Sequence, residues 1–215
     1  MDDDDGGFES HPGRGQFNAV FFRGMDAYID WHLHKHKTPV FDHLPTTVVE
    51  LGPGVGANLR YLTPGTRLLA IEPNPYMHSS LRRAAARHKV EVEIRSVVGE
   101  RIDLPDHSAE AVISSLVLCT VRDPATVVSE IRRILRPGGH YCFVEHVAAE
   151  TGTPTHWVQH SLRRPWAWVF EGCSCERDLA TVIRSAGFSE VEITPYRIHS
   201  LFLPFNTHIR GRAIS

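Results

Sequence analysis

Val48-Val49-Glu50-Leu51-Gly52-Pro53-Gly54-Val55-Gly56-Ala57-Asn58 is the stretch whose reading decides the fold. An apolar run leads into glycines at 52, 54 and 56, and a second apolar run, Leu68-Leu69-Ala70-Ile71, ends in Glu72. The order is strand, glycine turn, helix, strand, acidic residue, which is one nucleoside-binding half of an α/β sheet. A Cβ would block both the sharp turn out of the strand and the approach of a ligand. The acidic residue after the second strand can accept two ribose hydroxyl protons.

The glycine spacing selects among nucleosides. A dinucleotide site uses Gly-x-Gly-x-x-Gly, with backbone N–H groups and a helix N-terminus facing a pyrophosphate. Here the spacing is Gly-x-Gly-x-Gly, and Pro53 removes a donor between the first two glycines. Glu50 places a carboxylate nearby, which repels a pyrophosphate and suits a cationic amino-acid ligand. Both features favour S-adenosylmethionine, a phosphate-free sulfonium, over a nicotinamide cofactor.

Composition narrows the class. The chain has 215 residues, enough for one domain with a sizeable core, and a net charge of −2, which argues against a nucleic-acid partner. It has no apolar run of ~18 residues and no signal peptide, so a cytoplasmic protein without a stable membrane anchor is expected. Cys119, Cys142, Cys173 and Cys175 form no CxxC pair. They read as reduced, buried thiols, and no metal site is expected.

Along the chain, residues 1–15 are acidic and glycine-rich and read as a disordered tail. Residues 16–43, with Phe17, Phe21, Phe22, Tyr28 and Trp31, read as a helical cap over the cofactor. Strands are expected at about 46–51, 67–71, 90–95, 110–117, 140–146, 189–195 and 206–213, with helices at about 56–62, 75–87, 124–136 and 176–186. The helix at 124–136 has Asp123 as N-cap, Pro124 in its first turn, and Pro137-Gly138-Gly139 as a stop. Residues 147–172 break the alternation and read as an insertion roofing an acceptor pocket. No linker divides 16–215, which reads as one domain.

Several strings together resemble the class I S-adenosylmethionine-dependent methyltransferases, and within them the methyltransferase-like family 7, the alkyl thiol S-methyltransferases. They are Leu51-Gly52-Pro53-Gly54-Val55-Gly56-Ala57-Asn58, Glu72-Pro73-Asn74-Pro75, Gly99-Glu100 and Leu116-Val117-Leu118-Cys119. Leu135-Arg136-Pro137-Gly138-Gly139, Glu145-His146-Val147-Ala148 and Gly172-Cys173 complete the set. The resemblance spans about 46–190. It implies a Rossmann-like, seven-stranded, mostly parallel sheet with helices on both faces and an antiparallel last strand. It implies that Gly52, Gly54 and Gly56 approach the methionine part of the cofactor and that Glu72 holds the ribose. Pro73 and Asn74 would lie beside the adenine, Gly99 and Glu100 at its edge, and Leu116 on the substrate side. With Glu50, Asn58 and Met77 these complete the expected cofactor set. The chain departs from the family at Pro53, where a cysteine is usual, at Glu72, where many members carry aspartate, and in lacking the animal members' hydrophobic N-terminus.

Methyl transfer is an in-line displacement that expels a neutral thioether, so the enzyme's tasks are alignment and water exclusion. A thiol acceptor is partly ionised near neutral pH and needs no strong base. His146, at the ligand edge after the strand Tyr141–Val144, is the candidate base or thiol-orienting group, set against a structural histidine. Glu145 is read as a loop brace. Cys119, Phe21, Trp31 and His160 are candidates to line the acceptor pocket. His32 and His36, four apart, read as an exposed polar face rather than a metal pair. The expected activity is methylation of a small molecule, at a thiol sulfur in the first instance. Oxygen, nitrogen or carbon acceptors and a non-catalytic cofactor-binding domain remain as alternatives; oligomeric state is unread.

Overall fold

The computed structural model describes residues 12–215, so the part of the acidic tail at 1–11 lies outside the described residues. Residues 12–15, expected in that tail, instead open the first helix, α1 (Pro12–Lys37). After it come β1 (Thr47–Leu51), β2 (Arg67–Ile71), α2 (Pro75–His88), β3 (Glu91–Arg95), β4 (Ala109–Ser115) and α3 (Pro124–Ile134). The second half adds β5 (Leu135–His146), α4 (Pro154–Val169), α5 (Leu179–Ser185), β6 (Glu190–Arg197) and β7 (Thr207–Ile214).

The strands form one sheet in the order β3-β2-β1-β4-β5-β7-β6. β1 to β5 pair in parallel, and β7 runs antiparallel to both β5 and β6. β1 is buried from Val48 through Leu51, as a strand covered by helices on both faces must be. Val49 and Leu51 pack toward α3 and α5 with Val127, Ile131 and Ile183, while Val48 packs on the opposite face with Leu68, Leu81 and Val144. Burying each such side chain contributes roughly 1.5–3 kcal/mol before chain entropy is charged against it.

Local signals account for the helix ends. Asn74 caps α2 by accepting from the Tyr76 N–H, with Pro75 in the first turn, and Asp123 caps α3 by accepting from the Ala125 N–H. α3 ends earlier than expected. Leu135 turns extended and pairs with Ala109, so Arg136-Pro137-Gly138-Gly139 belongs to β5, with a register shift between Ala109 and Ala111.

Two further expectations are corrected. The helix at 56–62 is only a loop and a single 3₁₀ turn, Leu59–Tyr61, because Gly56 has φ +92° and cannot begin an α-helix. The insertion at 147–172 contains α4, capped by Thr153, whose hydroxyl accepts from the His156 N–H, with Pro154 in its first turn. α1 lies over the carboxyl ends of the strands. Asp26 and Asp30 pair with Arg60, Tyr61 donates to Asp30 (2.6 Å), and Asn18 donates to the Val169 carbonyl of α4 (2.9 Å).

Candidate active site

The order in which successive strands are laid down reverses between β1 and β4, which run parallel, and a crevice opens at their carboxyl ends, as is usual for open α/β sheets. A cavity of about 230 Å³ occupies it. The loop after β1 contributes Gly52, Pro53, Gly54 and Asn58; the segment after β2 contributes Glu72, Pro73, Asn74 and Met77; the turn after β4 contributes Leu116 and Cys119. His146 ends β5 and closes one wall.

Gly52 has φ +55°, and a Cβ there would strike the Val117 side chain. Two residues on, Gly54 donates its N–H to Glu72 Oε2 (2.9 Å), and Asn74 donates its N–H to Glu72 Oε1 (2.9 Å). These two bonds fix the Glu72 carboxylate at the cavity wall. Burial nevertheless pushes Glu72 up to about 7, against the downward pull of the two amides. Leu116 (φ +61°) and Glu171 (φ +49°) both line the cavity with left-handed backbones, a strained state for side-chain-bearing residues that concentrates at functional sites.

Charge is concentrated here. Glu171 accepts from Asn74 Nδ2 (2.9 Å) and is pushed up to about 7, first by burial and then by the nearby Glu72. A relay runs beneath the glycine loop: Lys37 Nζ donates to Asn58 Oδ1 (2.8 Å), and Asn58 Nδ2 donates to Glu50 Oε1 (2.7 Å). Burial lowers Lys37 to about 8 and raises Glu50 to about 7. A cationic ligand entering this wall would favour the charged carboxylates.

Another wall is aromatic. Phe21 of α1 meets Phe170 at 5.3 Å and Phe202 at 6.3 Å between ring centroids, and Trp166 meets Phe170 at 4.5 Å. His146 is fully buried, with Nε2 2.7 Å from the Pro204 carbonyl. A carbonyl only accepts, so Nε2 carries the proton and Nδ1 keeps a lone pair, 3.8 Å from Cys173 Sγ. Cys173 Sγ lies 3.4 Å from Cys119 Sγ and accepts from Trp166 Nε1 (3.3 Å). The hydrogen bond shared with Cys119, with help from the Trp166 N–H, pulls the Cys173 thiol well below its ordinary range; the same shared bond and burial push Cys119 well above.

Of the residues expected from sequence, Gly52, Gly54, Asn58, Glu72, Pro73, Asn74, Met77, Leu116, Cys119, His146 and Phe21 line this cavity. Glu50 lies behind Asn58 rather than on the wall. Gly56 packs against α2, where a Cβ would come within 2.8 Å of Ala84 Cβ; its glycine serves packing, not ligand approach. Gly99 packs on Leu51 and Val127, and Glu100 accepts from the Arg122 and Asp123 N–H groups, so both sit off the cavity and brace a loop. Trp31 is 75% exposed, and His160 pairs with Glu176 (2.8 Å) on the outer side of α4; neither reaches the cavity. His36 stacks on Tyr196 at 3.6 Å instead of presenting an exposed face. Glu145 is a brace: Ser114 Oγ and the Val117 and Leu118 N–H groups all donate to it. Lys37, Glu171, Cys173 and Phe205 were missed as wall residues; only the Gly172-Cys173 string hinted at one of them. Cys119, His146 and Cys173 meet in space, a grouping that the absence of a short ligand motif concealed.

Residues 49–143 match the model of a methyltransferase domain. The human thiol S-methyltransferase TMT1B is 35% identical over 170 residues, covering 78% of this chain and 70% of that protein. Human TMT1A is 33% identical over 171 residues with the same coverage. Among solved structures, a methyltransferase in complex with the Trm112 activator from Haloferax volcanii superimposes with a TM-score of 0.65 at 20% identity, covering 92% of this chain and 96% of that one; this likeness concerns the fold. Sequence, sheet topology and glycine loop agree: the chain belongs to the class I S-adenosylmethionine-dependent methyltransferases of the thiol S-methyltransferase TMT1 type.

Proposed function

We propose that this enzyme transfers the methyl group of S-adenosylmethionine to the sulfur of a small, apolar thiol, releasing S-adenosylhomocysteine. The observation that carries the reading is one cavity with two kinds of wall. A carboxylate fixed by two backbone amides faces it beside the glycine loop, and an aromatic lining meets it at His146 and the cysteines. Glu72 accepts the ribose hydroxyls, Asn74 and Pro73 flank the adenine, and Met77 packs beneath Gly54, where a Cβ would come within 3.4 Å of its Sδ. Glu171, close to Glu72, supplies negative charge toward a cationic ligand.

A thiolate attacking a sulfonium methyl neutralises charge as the transition state forms, so an apolar, water-poor wall lowers the barrier. Phe21, Phe170, Phe202 and Trp166 provide that wall. His146 presents Nδ1 toward the cysteines as an acceptor for a thiol. The relatives' names identify thiol S-methyltransferases, which supports sulfur as the acceptor atom. The four cysteines, all buried free thiols, suit a reducing, cytoplasmic setting.

The test is S-adenosylhomocysteine release on a panel of sulfide, alkyl and aryl thiols, phenols and amines, with Glu72→Ala as control. Turnover confined to thiols and lost in the control is expected. Turnover confined to phenols or amines would overturn the sulfur assignment and leave the cofactor site standing.

A further inference from the structure

We infer that Cys119, His146 and Cys173 form a three-ligand site for a soft divalent cation, zinc in the first instance, whose open coordination position faces the acceptor cavity and takes the acceptor sulfur. One ligand atom from each residue lies within 4.8 Å of the others, and all three residues are buried. Tetrahedral zinc, with bonds of about 2.3 Å to sulfur and 2.0–2.1 Å to nitrogen, puts S···S at about 3.8 Å and S···N at about 3.6 Å. The structure has 3.4 Å between the sulfurs and 3.8 Å from Cys173 Sγ to His146 Nδ1, so these two edges need to change by only a few tenths of an ångström.

The surroundings are those of a ligand set. His146 donates Nε2–H to the Pro204 carbonyl, which leaves Nδ1 as the free donor atom and fixes the ring; Gln159 Nε2 holds the same carbonyl at 3.0 Å. Trp166 Nε1 donates to Cys173 Sγ, and the Ser174 N–H donates to the Cys119 carbonyl at 2.7 Å, tying the two ligand loops together. Two thiolates and a neutral imidazole balance a divalent charge, so the loaded site is neutral where a bare charge would be costly. Two sulfurs and one nitrogen suit zinc rather than magnesium or calcium. All three residues line the cavity, and three protein ligands with one open position are the pattern of reactive rather than structural zinc.

The acceptor role rests on the thiol reading above. An acceptor thiol entering the open position loses its proton to water and binds as thiolate. A lone pair on that sulfur forms the new S–CH₃ bond; the sulfonium S–CH₃ bond breaks, and its electron pair stays on the departing neutral thioether. The metal keeps its oxidation state, and the methylated product is a neutral thioether, a weaker ligand that leaves. His146 then acts by holding the metal.

The test uses the full chain without a histidine tag, reduced under anaerobic conditions, with zinc measured by elemental analysis. Near one zinc per chain is expected, falling at least tenfold in Cys119→Ser and in Cys173→Ser and retained in Cys175→Ser, with S-adenosylhomocysteine affinity checked in each variant as evidence of folding. Wild type loaded with Co²⁺ should show thiolate-to-cobalt charge-transfer absorption, and ethanethiol should alter the cobalt spectrum. Failure of the folded, reduced chain to take up Zn²⁺ or Co²⁺ overturns the site. A cobalt spectrum indifferent to ethanethiol overturns the acceptor role. Full thiol turnover by metal-free protein overturns it too while leaving S-methylation intact, so the two readings fail separately.

Discussion

Glu72 is held by two backbone N–H groups and, among the described residues, has no side-chain partner of opposite charge, so its carboxylate is placed to meet a ligand rather than an internal cation. Hydrogen bonds to a charged group contribute about 1.5–3 kcal/mol each. Glu72→Ala should therefore weaken S-adenosylhomocysteine binding by at least about tenfold, measured by calorimetry, with far-ultraviolet circular dichroism unchanged. Gly52 presents the opposite case, a residue whose replacement strikes the fold first. Gly52→Ala puts a Cβ into Val117 on a left-handed backbone and should lower stability by about 2 kcal/mol or more in denaturant unfolding. Adding Val117→Ala should restore part of the loss, and a double variant as unstable as the single one would show that backbone strain alone is responsible.

At the scale of elements, the pocket depends on α1 and α4, which are far apart in the chain and join through Asn18 and the Phe21–Phe170 contact. Phe21→Ala should raise KM for hydrophobic acceptors severalfold while leaving cofactor affinity within about twofold; Trp31→Ala, on the exposed side of α1, should alter neither. Thr153→Ala removes the α4 cap and should cost about 1 kcal/mol, read as a shift in denaturant midpoint at constant slope. α4 also marks where the sequence became hard to read. β1, β2 and α3 were legible because each is written locally, in an apolar run or in cap, stripe and stop. The glycine loop was legible as a ligand turn, yet its third glycine serves helix packing, a distinction that only the proximity of Ala84 reveals. α4 was written just as locally, in Thr153-Pro154, but its three tryptophans and Pro165 masked the helical pattern. The cysteine and histidine group was illegible for a different reason: Cys173 lies 27 residues from His146 and 54 from Cys119, and only the sheet edge brings them together.

Across the whole molecule, Glu50, Glu72, Glu145 and Glu171 are each pushed up to about 7, burial being the main cause in every one. A carboxyl whose folded value lies above its unfolded one binds its proton more tightly when folded. The stability this gives is fully present below the ordinary carboxylate range and is lost as pH rises through about 7. The ligand-free chain should therefore melt at least a few degrees lower at pH 8 than at pH 5.5, equivalent to about 1 kcal/mol or more at this size. Saturating S-adenosylmethionine, a cation, should flatten the slope, and Glu72→Gln should remove part of it. The sheet order has a consequence for biosynthesis. β7 is made after β6, yet it lies inside it, between that strand and β5. Until Thr207–Ile214 has been synthesised, β6 has no strand neighbour among the described residues and β5 presents an open edge beside the half-built cavity. The sheet cannot assemble progressively in chain order; it must wait, with its ligand-binding half already made, for the strand that closes it.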